Sequence, residues 1–349
     1  MPPTPRPTLP EELLEEIFLR LPPDEPEWLV RASLASKLWH GLLSGPHFGR
    51  RYRELHRAHP MLGFLRSAAY ERMKKYLDPR FVSTGKFSPR FPQDKYRWDY
   101  GYDLWDCRHG RVLYGNTSHG AAVLCAVTGC DHTTCHNGPF RVVLVGVDTS
   151  DGGRFASVQE SFSHMGTWTK PCSHLHLANV QVQYVHSMTP VLTEDALYFM
   201  LLDDGDEDDD YYAHDIAILK YDMASNGLSL IDTPLSGIMT DGFVVLMAMA
   251  DGSLGFARVK MLTLYLWSRQ MGSNGVASWN ARRVIDLGDF LPIQNPNNEL
   301  KLIGSMEGAD IIYVTTDLGI YQISLKSLEW KKIWKSGKFQ CVGSIHEFL

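Results

Sequence analysis

Glu194-Asp195-Ala196-Leu197-Tyr198-Phe199, Ala250-Asp251-Gly252-Ser253-Leu254-Gly255-Phe256 and Glu307-Gly308-Ala309-Asp310-Ile311-Ile312-Tyr313 are three versions of one pattern, a polar turn that enters an aromatic-bearing strand. They recur at a spacing of about 56 residues. Each is followed by a second strand: Ile216-Ala217-Ile218-Leu219-Lys220-Tyr221-Asp222, Leu262-Thr263-Leu264-Tyr265-Leu266-Trp267-Ser268 and Gly319-Ile320-Tyr321-Gln322-Ile323-Ser324-Leu325. A period of that length built from several antiparallel strands is the sequence signature of propeller blades. Arg108-His109-Gly110-Arg111-Val112-Leu113-Tyr114 is a weaker, earlier echo. About 270 residues at this period would hold five or six such units.

Around these repeats, short apolar or alternating runs punctuated by Gly, Asp and Asn predict further strands. The expected set is 111–114, 121–127, 141–147, 155–160, 196–202, 216–221, 228–231, 243–249, 254–259, 262–267, 283–287, 300–306, 311–315, 320–325 and 331–335. No long helical pattern interrupts them, which excludes alternating βαβ architecture with a parallel sheet.

The first sixty residues follow a different grammar. Leu9, Leu13, Ile17 and Leu21 recur every fourth position and stack on one helix face, while Leu14 and Phe18 form a second apolar stripe beside it. Two stripes exceed what one small fold needs. Thr8 is the expected N-cap, with Glu11 completing a capping box and Pro10 in the first turn; Pro22-Pro23 stops the helix. Asp24, Pro26 and Glu27 start a second helix, with Trp28, Leu29, Ala32 and Leu34 as its apolar contacts; 37–43 reads as a third, and 48–59 as a further helix with a charged outer face. So few residues bury too little surface to be stable alone, so this unit is expected to dock on something.

The segment from Leu9 to Phe48 resembles an F-box, the motif that grips the SKP-type adaptor of cullin-based ubiquitin ligases. The resemblance rests on Leu9-Pro10, Glu12-Leu13-Leu14, Ile17, Leu21-Pro22, Leu29, Ala32-Ser33-Leu34, Lys37, Trp39, Leu42 and Pro46-x-Phe48. Ser36 departs from it, because many F-boxes carry a Cys at that position; a small residue there is a mild change. The whole chain resembles F-box proteins abundant in plants, grasses especially, whose F-box precedes an associated β-propeller-like domain. That second likeness is carried by Asp106-Cys107-Arg108-His109-Gly110-Arg111-Val112-Leu113, Ala121 to Cys125, Gly138 to Val143, Asp251 to Gly255, and Glu307-Gly308-Ala309 through Tyr321.

The resemblance implies an α+β multidomain chain: a small three-helix F-box followed by an all-β, propeller-like domain. Its expected divisions are a flexible leader (1–7), the F-box module (8–58), a connecting segment (59–80) and a substrate-recognition domain (81–349). It implies the substrate-recognition subunit of an SCF-type ubiquitin ligase, a non-catalytic adaptor without cofactors. Leu9, Pro10, Leu13, Ile17, Phe18, Leu21 and Leu29 would contact the adaptor and through it a cullin, and Trp39 would pin the third helix to the first two. The β domain would bind a protein target whose identity the sequence does not give. Because fold alone does not fix function, a β-propeller lectin or hydrolase with an unrelated helical subdomain stands as the alternative.

Composition bounds other readings. The 349 residues are 44% hydrophobic and 21% charged, ordinary for a globular chain. A net charge of −6 argues against a nucleic-acid partner, and Arg50, Arg51, Arg53 and Arg57 with Tyr52 read as a solvated helix face. Residues 1–7 lack the apolar core of a signal peptide, and no apolar run reaches membrane-spanning length. Six scattered cysteines without a secretion signal point to a reducing compartment, cytoplasmic or nuclear. Cys125, Cys130, His132, Cys135 and His136 cluster, and thiolate and imidazole are good zinc ligands. Four residues intervene between Cys130 and Cys135 and there is no second Cys-x-x-Cys pair, so the segment reads as a hairpin loop of reduced thiols, with structural zinc or a disulfide as alternatives. The acidic run 203–210 reads as a solvated connection, with a basic partner as the alternative. No Gly-x-Ser-x-Gly elbow, phosphate-cradling loop or His-Glu-x-x-His occurs. His164, His174, His176 and His186, with Ser161 and Ser163, form no pattern that sequence spacing can turn into a site.

Overall fold

The structure, a computed structural model, describes residues 9–23, 25–56, 63–66, 80–83, 102–108, 111–116, 119–127, 138–149, 153–170, 173–178, 180, 182, 184–185, 188–193, 196–203, 216–234, 243–273, 275–295, 300–335 and 345–348.

Four helices come first: α1 (Glu11–Leu19), α2 (Glu27–Ala35), α3 (Lys37–Leu43) and α4 (Pro46–His56). Pro10 occupies the N-cap position of α1 without a side-chain cap, and its carbonyl accepts from the Leu13 and Leu14 N–H groups, both at 3.1 Å. The expected caps need correction: Pro10 and Pro26, expected inside the first turns, hold the N-cap positions of α1 and α2, and Thr8 and Asp24 themselves lie outside the described residues. Of the two apolar stripes on α1, the one carrying Leu14 and Phe18 turns inward. These two residues, with Leu19 and Phe48, are the buried core, against which Leu21, Leu29, Ala32, Trp39, Leu42, Leu43 and Tyr52 pack. Helix α4 is tied to α1: Arg51 pairs with Glu15 at 2.9 Å and Glu16 at 2.7 Å, and the Tyr52 hydroxyl donates to the Leu21 carbonyl at 2.8 Å. Ser36 separates α2 from α3. Its backbone is extended and its Oγ accepts from the Leu38 N–H at 3.2 Å, so this position is the N-cap of α3 rather than a helix-packing site.

The rest of the described chain is antiparallel β-sheet. Strands β1 (Gly63–Arg66) and β2 (Arg80–Ser83) pair with each other. Next come a hairpin of β3 (Tyr102–Arg108) and β4 (Arg111–Asn116), and a sheet of β5 (His119–Cys125), β6 (Phe140–Asp148), β7 (Phe155–Phe162) and β8 (Ser173–His176). The following sheet places β9 (Tyr184–Val185) and β10 (Val191–Thr193) on one edge of β11 (Ala196–Leu202), with β12 (Ile216–Asp222) and β13 (Gly227–Ile231) beyond it. Two four-stranded sheets complete the series: β14 (Phe243–Ala248) to β17 (Ala277–Asp286) through β15 (Leu254–Lys260) and β16 (Thr263–Met271), and β18 (Lys301–Met306) to β21 (Trp330–Lys335) through β19 (Ile311–Thr316) and β20 (Gly319–Ser324). Last, β22 (Ile345–Phe348) returns to pair with β1, Gly63 opposite Phe348 and Arg66 opposite Ile345.

The three repeats fall on the last three of these sheets, each entering the second strand of its sheet: β11, β15 and β19. All fifteen expected strands correspond to observed ones. The connecting segment 59–80 needs correction, because β1 lies inside it and is already part of a sheet. Sheets meet face to face through apolar side chains. One core joins the β5–β8 and β9–β13 sheets through Val143, Val158, Leu197 and Phe199; another joins the last two four-stranded sheets through Met247, Leu264, Leu302 and Val314. Strands of different sheets also touch in series: β22 lies against β18 and β3, β3 against β5, β5 against β9, β10 against β14, and β14 against β18. Among the described residues no helix is long and apolar enough to cross a membrane.

Candidate functional site

On the helical module, the outward stripe of α1 remains uncovered: Leu9, Leu13 and Ile17 are 54%, 52% and 50% exposed. Val30 and Leu34, one turn apart on α2, and Leu38 on α3 also face out, Leu34 being 80% exposed. Six large aliphatic side chains of this small module are thus left in water.

The expected adaptor contacts divide along this line. Leu9, Pro10, Leu13 and Ile17 are exposed. Phe18, at 5% exposure, is a correction: it packs edge-on against Trp39 with ring centroids 5.3 Å apart and holds the module together from within. Leu21, Leu29 and Trp39 are half-buried against the same core. Trp28 and Leu34, expected as inward contacts of the second helix, face out; Trp28 donates through Nε1 to Glu25 at 2.8 Å. Val30 and Leu38 are additions that the sequence reading missed. Their signal was the four-residue step from Val30 to Leu34, hidden because Leu29 and Ala32 already supplied α2 with an inward face.

In the β region, the segment Asp106-Cys107-Arg108 forms a buried charged knot at the end of β3. The Asp106 carboxylate is wholly buried and accepts from the Val123 N–H of β5 at 2.8 Å and from the Cys107 N–H at 2.9 Å. Arg108 donates through Nη1 to Asp106 at 3.5 Å, through Nε to Glu307 at 3.0 Å, and through Nη2 to the Pro190 carbonyl just before β10. One arginine therefore bridges three different sheets. Burial pushes the Asp106 carboxyl up to about 6, against the opposing pull of Arg108 and the two backbone N–H groups. Burial works against the Arg108 charge as well, but the Asp106 and Glu307 carboxylates outweigh it and hold its pKa above the ordinary value.

Beside Arg108 lies a concavity with a cavity volume of about 40 Å³. Arg108, Met188, Pro190, Leu246 and Ile303 line it with Ser305 and Glu307, so four different sheets contribute. Asp106 does not line it. His164, His174 and His176 are exposed on the β5–β8 sheet and do not converge with it; His186 lies outside the described residues. Among the described residues no group of three or more His, Cys, Asp or Glu is placed to hold a metal ion. Cys130, His132, Cys135 and His136 lie outside the described residues, as does the acidic run beyond Asp203.

The F-box-like family model matches residues 7–53. An F-box-like helical region is thus followed by an all-β region of several antiparallel sheets. No curated protein matches the chain. Among solved structures, the chain is similar to an α-L-arabinofuranosidase of Fusarium graminearum at 10% identity, covering 66% of this chain and 67% of that one with a TM-score of 0.34. It is similar to a Penicillium chrysogenum α-L-arabinanase at 12% identity, with coverages of 66% and 67% and a TM-score of 0.34. A Trypanosoma rangeli sialidase aligns at 10% identity, covering 66% of this chain and 40% of that one with a TM-score of 0.32. Likenesses this distant carry no argument about activity.

Proposed function

We propose that this chain is a non-catalytic substrate-recognition subunit of an SCF-type ubiquitin ligase. Its helical module docks an SKP-type adaptor, and through it a cullin, and its β region holds the protein to be modified. The observation that carries this reading is the coincidence of the F-box-like match at 7–53 with uncovered aliphatic rows on the same helices. Leu9, Pro10, Leu13 and Ile17, joined by Val30, Leu34 and Leu38, are the contacts; Phe18 and Trp39 support them from inside. Truncating a well-buried anchor at such an interface costs about 2 kcal/mol or more. Rate enhancement then comes from tethering, which raises the effective concentration of target near the transferring enzyme.

In this reading the six sheets form a propeller-like ring of the kind associated with plant F-box proteins, divided from the F-box by a short segment that ends before β1. The series of contacts between strands of different sheets and the β1–β22 pairing support it. The chain works in the cytoplasm or nucleus, where the ligase machinery resides. The hydrolase alternative requires a carboxylate that reaches substrate. Asp106, the one carboxyl among the described residues that burial pushes clearly up, is enclosed and already holds two backbone N–H groups and an arginine.

Co-purification with a plant SKP-type adaptor tests the proposal, comparing the parent chain with a Leu9→Ala, Pro10→Ala variant and with Ile17→Asp. Binding by the parent and loss in both variants, with unchanged melting, is the expected result. A well-folded parent that fails to bind any SKP-type adaptor would overturn the reading.

A further inference from the structure

The cavity beside Arg108 has a composition that fits one kind of occupant. Met188, Pro190, Leu246 and Ile303 give it apolar walls, and Ser305 and Glu307 supply oxygen atoms. A narrow apolar slot with a carboxylate is matched to a side chain with an aliphatic stem and a cationic head. The local charge has the same sign requirement. Asp106, Arg108 and Glu307 ionised together leave one net negative charge, within a chain of net charge −6.

Arg108 also lines the cavity, but its charge is already engaged by two carboxylates. Its Nε, Nη1 and Nη2 each already face an acceptor, namely Glu307, Asp106 and the Pro190 carbonyl, and the residue is 7% exposed. Glu307 is 46% exposed at its side chain and meets Arg108 through Oε2, so the carboxylate keeps acceptor capacity toward the concavity.

We propose that this cavity is a socket for a basic side chain, lysine or arginine, of a protein segment bound by the β region. The socket rests on the ligase reading only for the source of that side chain, a target polypeptide. The stem lies along Met188, Leu246 and Ile303, and the head is received by Glu307 with Ser305 beside it. Because the contributing strands belong to four sheets, the socket is present only when those sheets are assembled.

The test uses the full chain and three small probes of equal stem length: n-butylammonium, butyrate and 1-butanol, titrated by ligand-observed NMR. The cation is expected to bind in the millimolar range, at least about fivefold more tightly than either other probe. Glu307→Gln, which keeps an oxygen for Arg108, should weaken the cation about tenfold, the loss of one charge-assisted hydrogen bond. Ser305→Leu, which fills the slot without touching a charged group, should abolish binding and serves as the independent variant if Glu307→Gln melts early. Tighter binding of butyrate, equal binding of all three probes, or unchanged cation binding in both variants would each overturn the socket. Adaptor binding is read separately on the helical module. Its failure with intact butylammonium binding sinks the ligase reading alone, and the reverse pattern sinks the socket alone.

Discussion

Replacing Asp106 with Asn removes a charge and almost no volume, so its effect isolates what the knot at the end of β3 contributes. All three neighbours of the carboxylate are donors: the Val123 N–H, the Cys107 N–H and Arg108 Nη1. An amide offers one acceptor oxygen and two donor hydrogens, so its NH2 must face an N–H. One backbone donor is then left unpaired at a cost of about 1–3 kcal/mol. Arg108 also loses its fully buried counter-ion, and breaking such pairs typically costs about 3–5 kcal/mol in all. Part of this is returned, because the parent spends free energy keeping a buried carboxylate ionised. A rise from 3.8 to about 6 corresponds to about 3 kcal/mol. The expected net loss near neutral pH is about 1–5 kcal/mol. The folded form binds this proton more tightly than the unfolded chain, so the group's stabilising contribution is full below about pH 4 and lost as pH rises through about 6. The Asn variant has no such dependence, so the gap between the two proteins should widen on going from about pH 7 to about pH 5. Urea unfolding followed by tryptophan fluorescence at both pH values measures it. A variant within about 0.5 kcal/mol of the parent, or two parallel pH curves, would refute the assignment of Asp106 as a buried, titrating clamp.

Three further outcomes follow from the same geometry. Gly319→Ala should cost about 3 kcal/mol or more in a thermal melt, because φ is +144° and an added Cβ would sit 2.0 Å from the backbone oxygen of Trp334, which cannot move without breaking the β20–β21 pairing; a fall in Tm of under about 2 °C would contradict this. Ser36→Ala should remove about 1 kcal/mol from the helical module by unpairing the Leu38 N–H, whereas Ser36→Asp should keep the cap, as far-UV circular dichroism melts would register. Phe18→Ala should unfold the helical module, at about 3–5 kcal/mol, while Ile17→Ala, on the exposed stripe, should leave its melting within about 0.5 kcal/mol; equal effects would mean that the two stripes have been assigned to the wrong sides.

Much of the β region could be read from the chain because its strands carry their own pattern. β16 alternates burial along Leu264, Leu266 and Ser268, and β15 is buried on both faces from Leu254 to Val259, apolar but for Arg258. The strands that escaped notice, β1, β2, β3, β8, β9, β10 and β22, are mostly short, from two to four residues, or, in β3, carry Asp106 and Arg108 where apolar residues are usual. Their pairing is set by distant partners rather than by local preference. The same distance hid the knot. Asp106 and Arg108 stood out as part of a resemblance, but their roles depend on Val123, Pro190 and Glu307, which no local window contains. In the helices, periodicity found both stripes of α1 yet could not say which one faced inward. Phe18 and Leu14 took that side through Trp39 and Phe48, contacts supplied by α3 and α4.

The pairing of β1 with β22 sets a timetable for synthesis. β1 leaves the ribosome about 280 residues before the strand that hydrogen-bonds its free edge. At about 5–20 residues per second, that is a wait of roughly 15–60 seconds, during which the edge of β1 is open to solvent and to other nascent chains. The helical module, with its core made within the first fifty-six residues, has no such wait. A newborn chain would therefore present its helical module well before β1 meets β22, and whatever shields β1 in that interval governs how much chain reaches the finished state.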